Sequence, residues 1–227
     1  MKTVFRKELK YKVPLSDFSM MEPQIRAVFD PDEHGEDGVY AVRSLYFDSA
    51  LDQDLHDNLD GAMEKRKIRI RIYSPHDEKA KLEYKCKSGS DGVKYSLTLT
   101  RQEAMEMENH RYECLHGKYE DLAMFLYLKM QRYLYRPKTI VEYKRRAYSF
   151  PMNNIRLTFD YEIRGSDSPY GLFNERPFLR PVFPEGMGIL ELKYDEFIPT
   201  PIRKLMERCD VIQTSYSKYT AARLSGM

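Results

Sequence analysis

The segment Lys67-Ile68-Arg69-Ile70-Arg71-Ile72-Tyr73 sets three cations at alternate positions with isoleucine between them. A strand has a side-chain period of two, so Lys67, Arg69 and Arg71 share one face and the isoleucines the other. The pattern recurs in Lys81-Leu82-Glu83-Tyr84-Lys85-Cys86-Lys87, where Lys81, Glu83, Lys85 and Lys87 are the polar set. Near the N-terminus Arg6, Glu8, Lys10 and Lys12 fall on one side of a strand that ends at Pro14. Arginine forks onto phosphate oxygens and lysine supplies point charge. Carboxylates embedded among such cations are poor phosphate partners unless a divalent cation sits between. Hard oxygen ligands together with phosphate are the usual setting for Mg²⁺ or Mn²⁺. The chemistry these residues suit is the gripping of several phosphates with one or two metal ions.

The elements that must position them are mostly strands. Lys94-Tyr95-Ser96-Leu97-Thr98-Leu99-Thr100 alternates as well, and Ser88-Gly89-Ser90-Asp91-Gly92 before it is a good hairpin loop. Further strands are predicted at Ser44–Asp48, Glu142–Ala147, Arg156–Asp160 and Ile189–Tyr194. Helices are expected after Ser16 as N-cap, with Phe18, Met21, Ile25, Val28 and Phe29, over Tyr119–Tyr135, and from Thr200-Pro201 to about Arg208. On an ordinary antiparallel sheet the charged face points to water. Here nearly every strand repeats the same mixture of Arg, Lys and single carboxylates, with few Ser, Gln or Asn. A closed sheet gives that mixture another place, lining a bore while the apolar faces point outward under helices. The expected fold class is therefore α+β, a closed antiparallel β-barrel (tunnel) with a polar, basic lumen, flanked by helices. No linker or repeat divides the chain, so residues 1–227 are expected to form a single domain.

Composition narrows the partners. The chain has 37 Lys plus Arg against 35 Asp plus Glu, a net charge of +2, which argues against a general polyanion-coating protein. The cations do not interleave with aromatic stacking platforms, so nucleic acid is not an expected partner. No apolar run approaches the roughly 20 residues that span a bilayer, and the first residues lack the apolar core of a secretory signal. Cys86, Cys114 and Cys209 have neither CxxC spacing nor an even count, and read as reduced thiols of a cytoplasmic protein. The five histidines form no HxxxH or HExxH pair.

In order along the chain, Arg6-x-Glu8-x-Lys10-Tyr11, Val42–Asp48, Lys67–Tyr73, Leu82-Glu83-Tyr84-Lys85-x-Lys87, Glu142-Tyr143-x-Arg145-x-Ala147-Tyr148, Arg156-x-Thr158-Phe159-Asp160, Leu190–Tyr194 and Ser217-Lys218-Tyr219 cover almost the whole sequence. The ordered set resembles the VTC-type (vacuolar transporter chaperone) polyphosphate polymerase domains, a branch of the triphosphate tunnel metalloenzymes. The resemblance implies a tunnel that binds ATP and transfers its γ-phosphate to a growing polyphosphate chain, with Mn²⁺ or Mg²⁺ as cofactor. It implies Arg69, Arg71, Arg145 and Lys85 as catalytic cations. Lys10, Lys94, Tyr143, Arg156, Lys193, Ser217 and Lys218 become the phosphate-binding set, and Glu191, with Glu8 and Glu83, the metal candidates. The hydrolytic tunnel enzymes begin Glu-x-Glu-x-Lys, whereas Arg6 stands first here, which favours polymerase over triphosphatase. Ser215 stands where the eukaryotic polymerases carry a basic residue. Membrane helices of those proteins have no counterpart, so any membrane coupling requires a partner protein.

Phosphoryl transfer needs in-line positioning and cancellation of charge rather than covalent help from side chains. Arg69, Arg71 and Arg145 are expected to neutralise the phosphoryl oxygens, and no nucleophilic side chain is invoked. A triphosphatase would give the same phosphate to water. A noncatalytic polyphosphate or nucleotide sensor would bind without turnover.

Overall fold

The computed structural model describes residues 7–32, 38–89, 91–118, 120–166, 168–207 and 212–225. In chain order the elements are β1 (Lys7–Pro14), α1 (Leu15–Arg26), β2 (Asp30–Pro31), β3 (Val39–Asp48), α2 (Gln53–Leu59), β4 (Glu64–Ile72), β5 (Lys79–Ser88), β6 (Asp91–Thr100), α3 (Arg101–Glu108), α4 (Asp121–Arg132), β7 (Arg136–Phe150), β8 (Ile155–Ser166), β9 (Arg180–Pro181), β10 (Met187–Tyr194), α5 (Thr200–Glu207), β11 (Ile212–Gln213) and α6 (Lys218–Leu224). Every strand expected from alternation is present. Arg6, Ser90, Tyr119, Arg208 and Cys209 lie outside the described residues.

All strands join one antiparallel sheet of order β11-β1-β10-β8-β7-β3-β4-β5-β6, with β2 on β7 and β9 on β8. The expected closed barrel is not formed. Among the described residues β6 pairs with β5 alone, and no ladder joins it to β1 or β11 at the other edge. The sheet is nevertheless strongly curled. Glu8 on β1 and Lys85 on β5 are six strands apart, roughly 29 Å in a flat sheet at the usual spacing. Their side chains meet at 3.0 Å. The two ends of the sheet are thus brought near one another by side chains, with no backbone ladder between them among the described residues.

The expected inversion of faces holds. The outward apolar residues Ile68, Ile70, Ile72, Leu82, Leu97 and Leu99 pack under Ala104 and Met107 of α3 and Ala123, Leu126 and Met130 of α4. On the other half Leu157, Phe159, Leu190 and Leu192 pack under Phe18, Met21 and Ile25 of α1 and Ile202, Leu205 and Met206 of α5. Burying such side chains contributes roughly 1.5–3 kcal/mol each, which is what holds the helices on the convex side. α1 starts at Leu15 after Pro14, and no side chain caps it. Ser16 is not the N-cap, because the Leu15 amide finds the Gly186 carbonyl at 2.8 Å instead. Its hydroxyl donates to Asp17 Oδ1 at 2.9 Å. α4 is shorter than the Tyr119–Tyr135 expectation, and Tyr133 already leaves helical geometry. The helix α3 was not foreseen, although Thr100 and Glu103 form a complete capping box at its start.

A third cluster lies on the concave side. Val42, Tyr46, Val141, Tyr143 and Ile189 pack with Tyr219 and Ala222 of α6. The C-terminal helix thus sits inside the curl at one end. A Cβ on Gly165 of β8 would stand 2.8 Å from Ala222 Cβ and 3.0 Å from Val182 Cγ1, so glycine is what lets α6 come this close.

Candidate functional site

The register of the ladders sets charge opposite charge on the concave face. Lys10 faces Glu191 and Glu8 faces Lys193 between β1 and β10. Arg145 faces Asp160 between β7 and β8, and Arg69 faces Glu83 between β4 and β5. Cross-strand neighbours on one face interact directly, and all four carboxylates are engaged by cations.

Two networks result. In the first, Glu191 receives Lys10 at 3.3 Å, Lys193 at 3.1 Å and Lys218 at 3.4 Å. Lys10 also reaches Glu8 at 3.1 Å, so its ammonium bridges two carboxylates. Arg145 grips Asp160 with Nε and Nη2 at 2.6 and 2.8 Å, and Lys218 reaches the same carboxylate at 2.7 Å. The Tyr143 ring lies beneath Lys218 and Arg145, with centroids 4.8 and 5.2 Å away. In the second network Glu83 takes Arg69 at 2.7 Å, Arg71 at 3.4 Å and Lys94 at 3.1 Å. Arg69 also donates to the Tyr46 hydroxyl at 2.9 Å. Lys85 meets Glu8 at 3.0 Å and Lys67 donates to Ser217 Oγ at 2.9 Å, so the two halves touch across the groove.

The electrostatics follow from burial in a crowd of cations. Burial alone would push Glu191 up, but Lys10, Lys193, Lys218 and Arg145 hold it well below the usual carboxylate range. Burial works the same way on Glu83, and Arg69, Arg71 and Lys94 outweigh it. Glu8 is also depressed, with burial overcome by Lys10 first and by Lys193 and Lys85. Lys193 moves down, because burial exceeds the pull of Glu191 and Glu8. These carboxylates are ionised throughout the physiological range.

Among the described residues, Arg71 Nε, Ser44 Oγ and Thr158 Oγ1, at positions on the concave face of the strands, are buried without a hydrogen-bond partner. Ser44 and Arg71 are ladder partners, so two of them lie together on the groove floor. Buried polar groups are rarely left unsatisfied, so these positions stand out on the concave face.

A family model described as the VTC domain matches residues 5–226. The chain belongs to the VTC domain family. No curated protein gives a significant sequence match. Among solved structures it is similar to the PH1819 protein of Pyrococcus horikoshii, at 14% identity and TM-score 0.50 over 98% of this chain and 100% of that one. It is also similar to a "putative adenylate cyclase" of Bacillus halodurans, at 14% identity and TM-score 0.53 over 93% and 95%. At such identities the likeness is one of fold.

In this VTC domain the concave face gathers Lys10, Arg69, Arg71, Lys85, Lys94, Tyr143, Arg145, Lys193 and Lys218 with Glu8, Glu83 and Glu191. Arg156 lies toward a mouth of the groove, where it holds Asp32 at 2.5 Å and the Tyr40 hydroxyl at 3.2 Å. Ser217 caps α6, accepting from the Thr220 amide at 3.3 Å. A cavity of about 400 Å³ opens beside Arg71, lined by Tyr73, Asp77, Glu78, Lys79, Ala80 and Lys81. Two groove residues are not singled out in the sequence reading. Asp160 is legible as the third polar position after Arg156 and Thr158, whereas Lys67, already set with Arg69 and Arg71 on one strand face, gains its partner Ser217 only in the fold. Tyr46 gave no signal, since its hydroxyl matters only once Arg69 is placed against it.

The fit of a divalent cation can be judged from the donors. No group of three or more His, Cys, Asp or Glu stands ready among the described residues. Glu8 and Glu191 do converge on the single ammonium of Lys10, and two carboxylates plus phosphate oxygens are an ordinary Mg²⁺ or Mn²⁺ donor set. The residues fit a cation that arrives with its phosphates. Glu83 lies apart, each of its oxygens taken by arginine or lysine.

Proposed function

We propose that this domain is a polyphosphate polymerase that transfers the γ-phosphate of ATP to the end of a polyphosphate chain held in the groove. The observation that carries this reading is the concave face itself, where partly buried cations cluster around polar atoms that lack partners. The family membership supports it. Residues 1–227 act as one unit in this reading, in the cytoplasm, and any membrane coupling comes from a partner protein.

The roles follow from position. Arg69 and Arg71 present guanidinium groups from alternate positions on one face of β4, with Ser44 opposite Arg71 to donate to a phosphoryl oxygen. Lys94 and Lys85 line the same wall. Arg145, Lys218, Lys193 and Lys10 neutralise the opposite stretch of phosphates, and Tyr143 fixes Arg145 and Lys218 through its ring face. Arg156 guards the mouth. Ser217 holds the start of α6, so that Lys218 points inward. Glu191 and Glu8 would hold Mn²⁺ or Mg²⁺, which when bound neutralises phosphate charge and polarises the transferred group. The acceptor is the terminal phosphate of the polymer, already anionic at neutral pH, so elongation requires no base and no protein nucleophile.

Incubation with ATP and Mn²⁺ followed by gel electrophoresis tests the reading. Long polyphosphate is the expected product. Free phosphate without polymer would reassign the domain as a triphosphatase, and neither product would leave a phosphate-binding sensor.

A further inference from the structure

Lys67 differs from the other cations of the groove. Lys10, Arg69, Lys85 and Lys218 each reach a carboxylate within 4 Å. Lys67 reaches none among the described residues, and its hydrogen bond runs to the Ser217 hydroxyl at 2.9 Å. It is partly buried in the wall, on the same strand face as Arg69. An ammonium so placed faces mostly like charge, with Glu8 nearby but no described carboxylate within ion-pair distance. Ser217 Oγ accepts from the Thr220 amide, which leaves its own proton able to turn toward a neutral Lys67 amine.

We propose that Lys67 and Ser217 form a further subsite for a phosphoryl oxygen, and that filling it takes up one proton from solvent onto Lys67. This rests on the phosphate-binding part of the reading above, not on polymerisation. The groups facing Lys67 are Lys10 and Glu8 from β1, Arg69 from β4, Lys85 from β5 and Ser217 before α6. Burial, then Lys10, Lys85 and Arg69, pushes Lys67 down to about 7, with Glu8 opposing. Lys10 and Arg69 are held above their ordinary values, in each case against burial, by Glu191 and Glu8 and by Tyr46 and Glu83 respectively. Both therefore keep their charge over pH 7–9. A phosphate oxygen brings the missing negative charge, restores the ammonium and accepts its hydrogen bond. No covalent bond changes, and the only transfer is one proton from buffer to Lys67 Nζ.

The sign is set by the empty state. Below pH 7 Lys67 is already charged and binding takes up nothing there. Above pH 7 each bound phosphate chain must bring a proton with it, so affinity falls as pH rises, by at most about tenfold per unit. Lys193, itself lowered by burial, is the other lysine able to contribute, and a substitution at Lys67 separates the two.

The test is calorimetric titration of the full chain with metal-free inorganic triphosphate at pH 8, in buffers of different ionisation enthalpy. Lys67→Met and Lys67→Arg are compared with wild type after circular dichroism has checked the fold. Wild type should take up about one proton more than either variant. Its affinity should fall between pH 7.5 and 9, whereas Lys67→Arg, permanently charged, should lose that part of the slope and still bind. Equal uptake in all three proteins would overturn the subsite even if polymer is made. A proton difference without polymer would leave the subsite standing and remove the polymerase reading. No binding of triphosphate at all would overturn both.

Discussion

Glu191→Gln removes the negative charge on which Lys10, Lys193 and Lys218 converge at 3.1–3.4 Å. Glu191 is 5% exposed, so solvent cannot replace the lost charge. Breaking a buried ion pair by neutralising one partner typically costs about 3–5 kcal/mol, because the other charge stays behind unpaired. Asp160 still holds Lys218, and Glu8 still holds Lys10. Glutamine also offers one acceptor oxygen, which places the expectation toward the lower end. For a domain of this size about 1 kcal/mol corresponds to 2–4 °C in Tm, so the variant should melt roughly 6–12 °C below wild type. The assay is thermal unfolding by circular dichroism at pH 7.5, with and without inorganic triphosphate. The added polyanion supplies the absent charge, so the variant should gain more from it than wild type does. Measured beside the polymerisation gel, this separates a fold defect from a catalytic one. A Tm within about 2 °C of wild type, with no extra gain from triphosphate, would refute Glu191 as the charge organising the lysines.

Arg71→Ala should lower ATP turnover by about 10³-fold with the fold intact, as expected for loss of an arginine that neutralises a transferring phosphoryl group. Full activity would remove Arg71 from the site. Gly165→Ala forces its new methyl against Ala222, at 2.8 Å before relaxation, and should cost about 1–3 kcal/mol. Triphosphate affinity should fall with it, since the start of α6 carries Ser217 and Lys218; thermal melts and binding titrations check both. Asp54 is buried, and burial with the nearby Asp48 pushes its carboxyl up to about 7. The folded chain therefore holds a proton that the unfolded chain releases above pH 4, and stability falls as pH rises from 4 through 7. Asp54→Asn, which still accepts from the Tyr135 hydroxyl, should raise stability at pH 8 by up to about 4 kcal/mol and leave it unchanged at pH 4, as read by denaturant titration.

The concave charge was readable because period-two alternation survives folding unchanged. Arg69 and Arg71 share a face in the sequence pattern and in β4, and the same holds for Glu8 and Lys10 in β1. Register was not readable, and register decides which carboxylate meets which cation. Alternation puts Glu83 on the polar face but cannot say that it stands opposite Arg69, with Lys94 close enough to share it. Asp160 was passed over for the same reason, since its weight comes from Arg145 on the facing strand and from Lys218 on a helix 58 positions later in number.

Closure of the sheet failed as an expectation on physical grounds that alternation cannot report. A barrel closes when the last strand finds backbone partners on the first, and nothing in the face pattern of β6 or β1 encodes that meeting. What the two walls share is charge, and charge acts over a longer distance than an N–H···O bond and with looser geometry. Glu8 and Lys85 can hold β1 and β5 near each other without bringing any edge into ladder distance. The same looseness leaves room on the concave side for α6, whose Tyr219 stacks on Tyr46 at 5.2 Å and donates to Asp48 at 2.5 Å. A fully laddered barrel of these strands would hold its walls at fixed spacing. An open curl pinned by ion pairs instead sets the distance between its walls by side-chain contacts such as Glu8 to Lys85 at 3.0 Å.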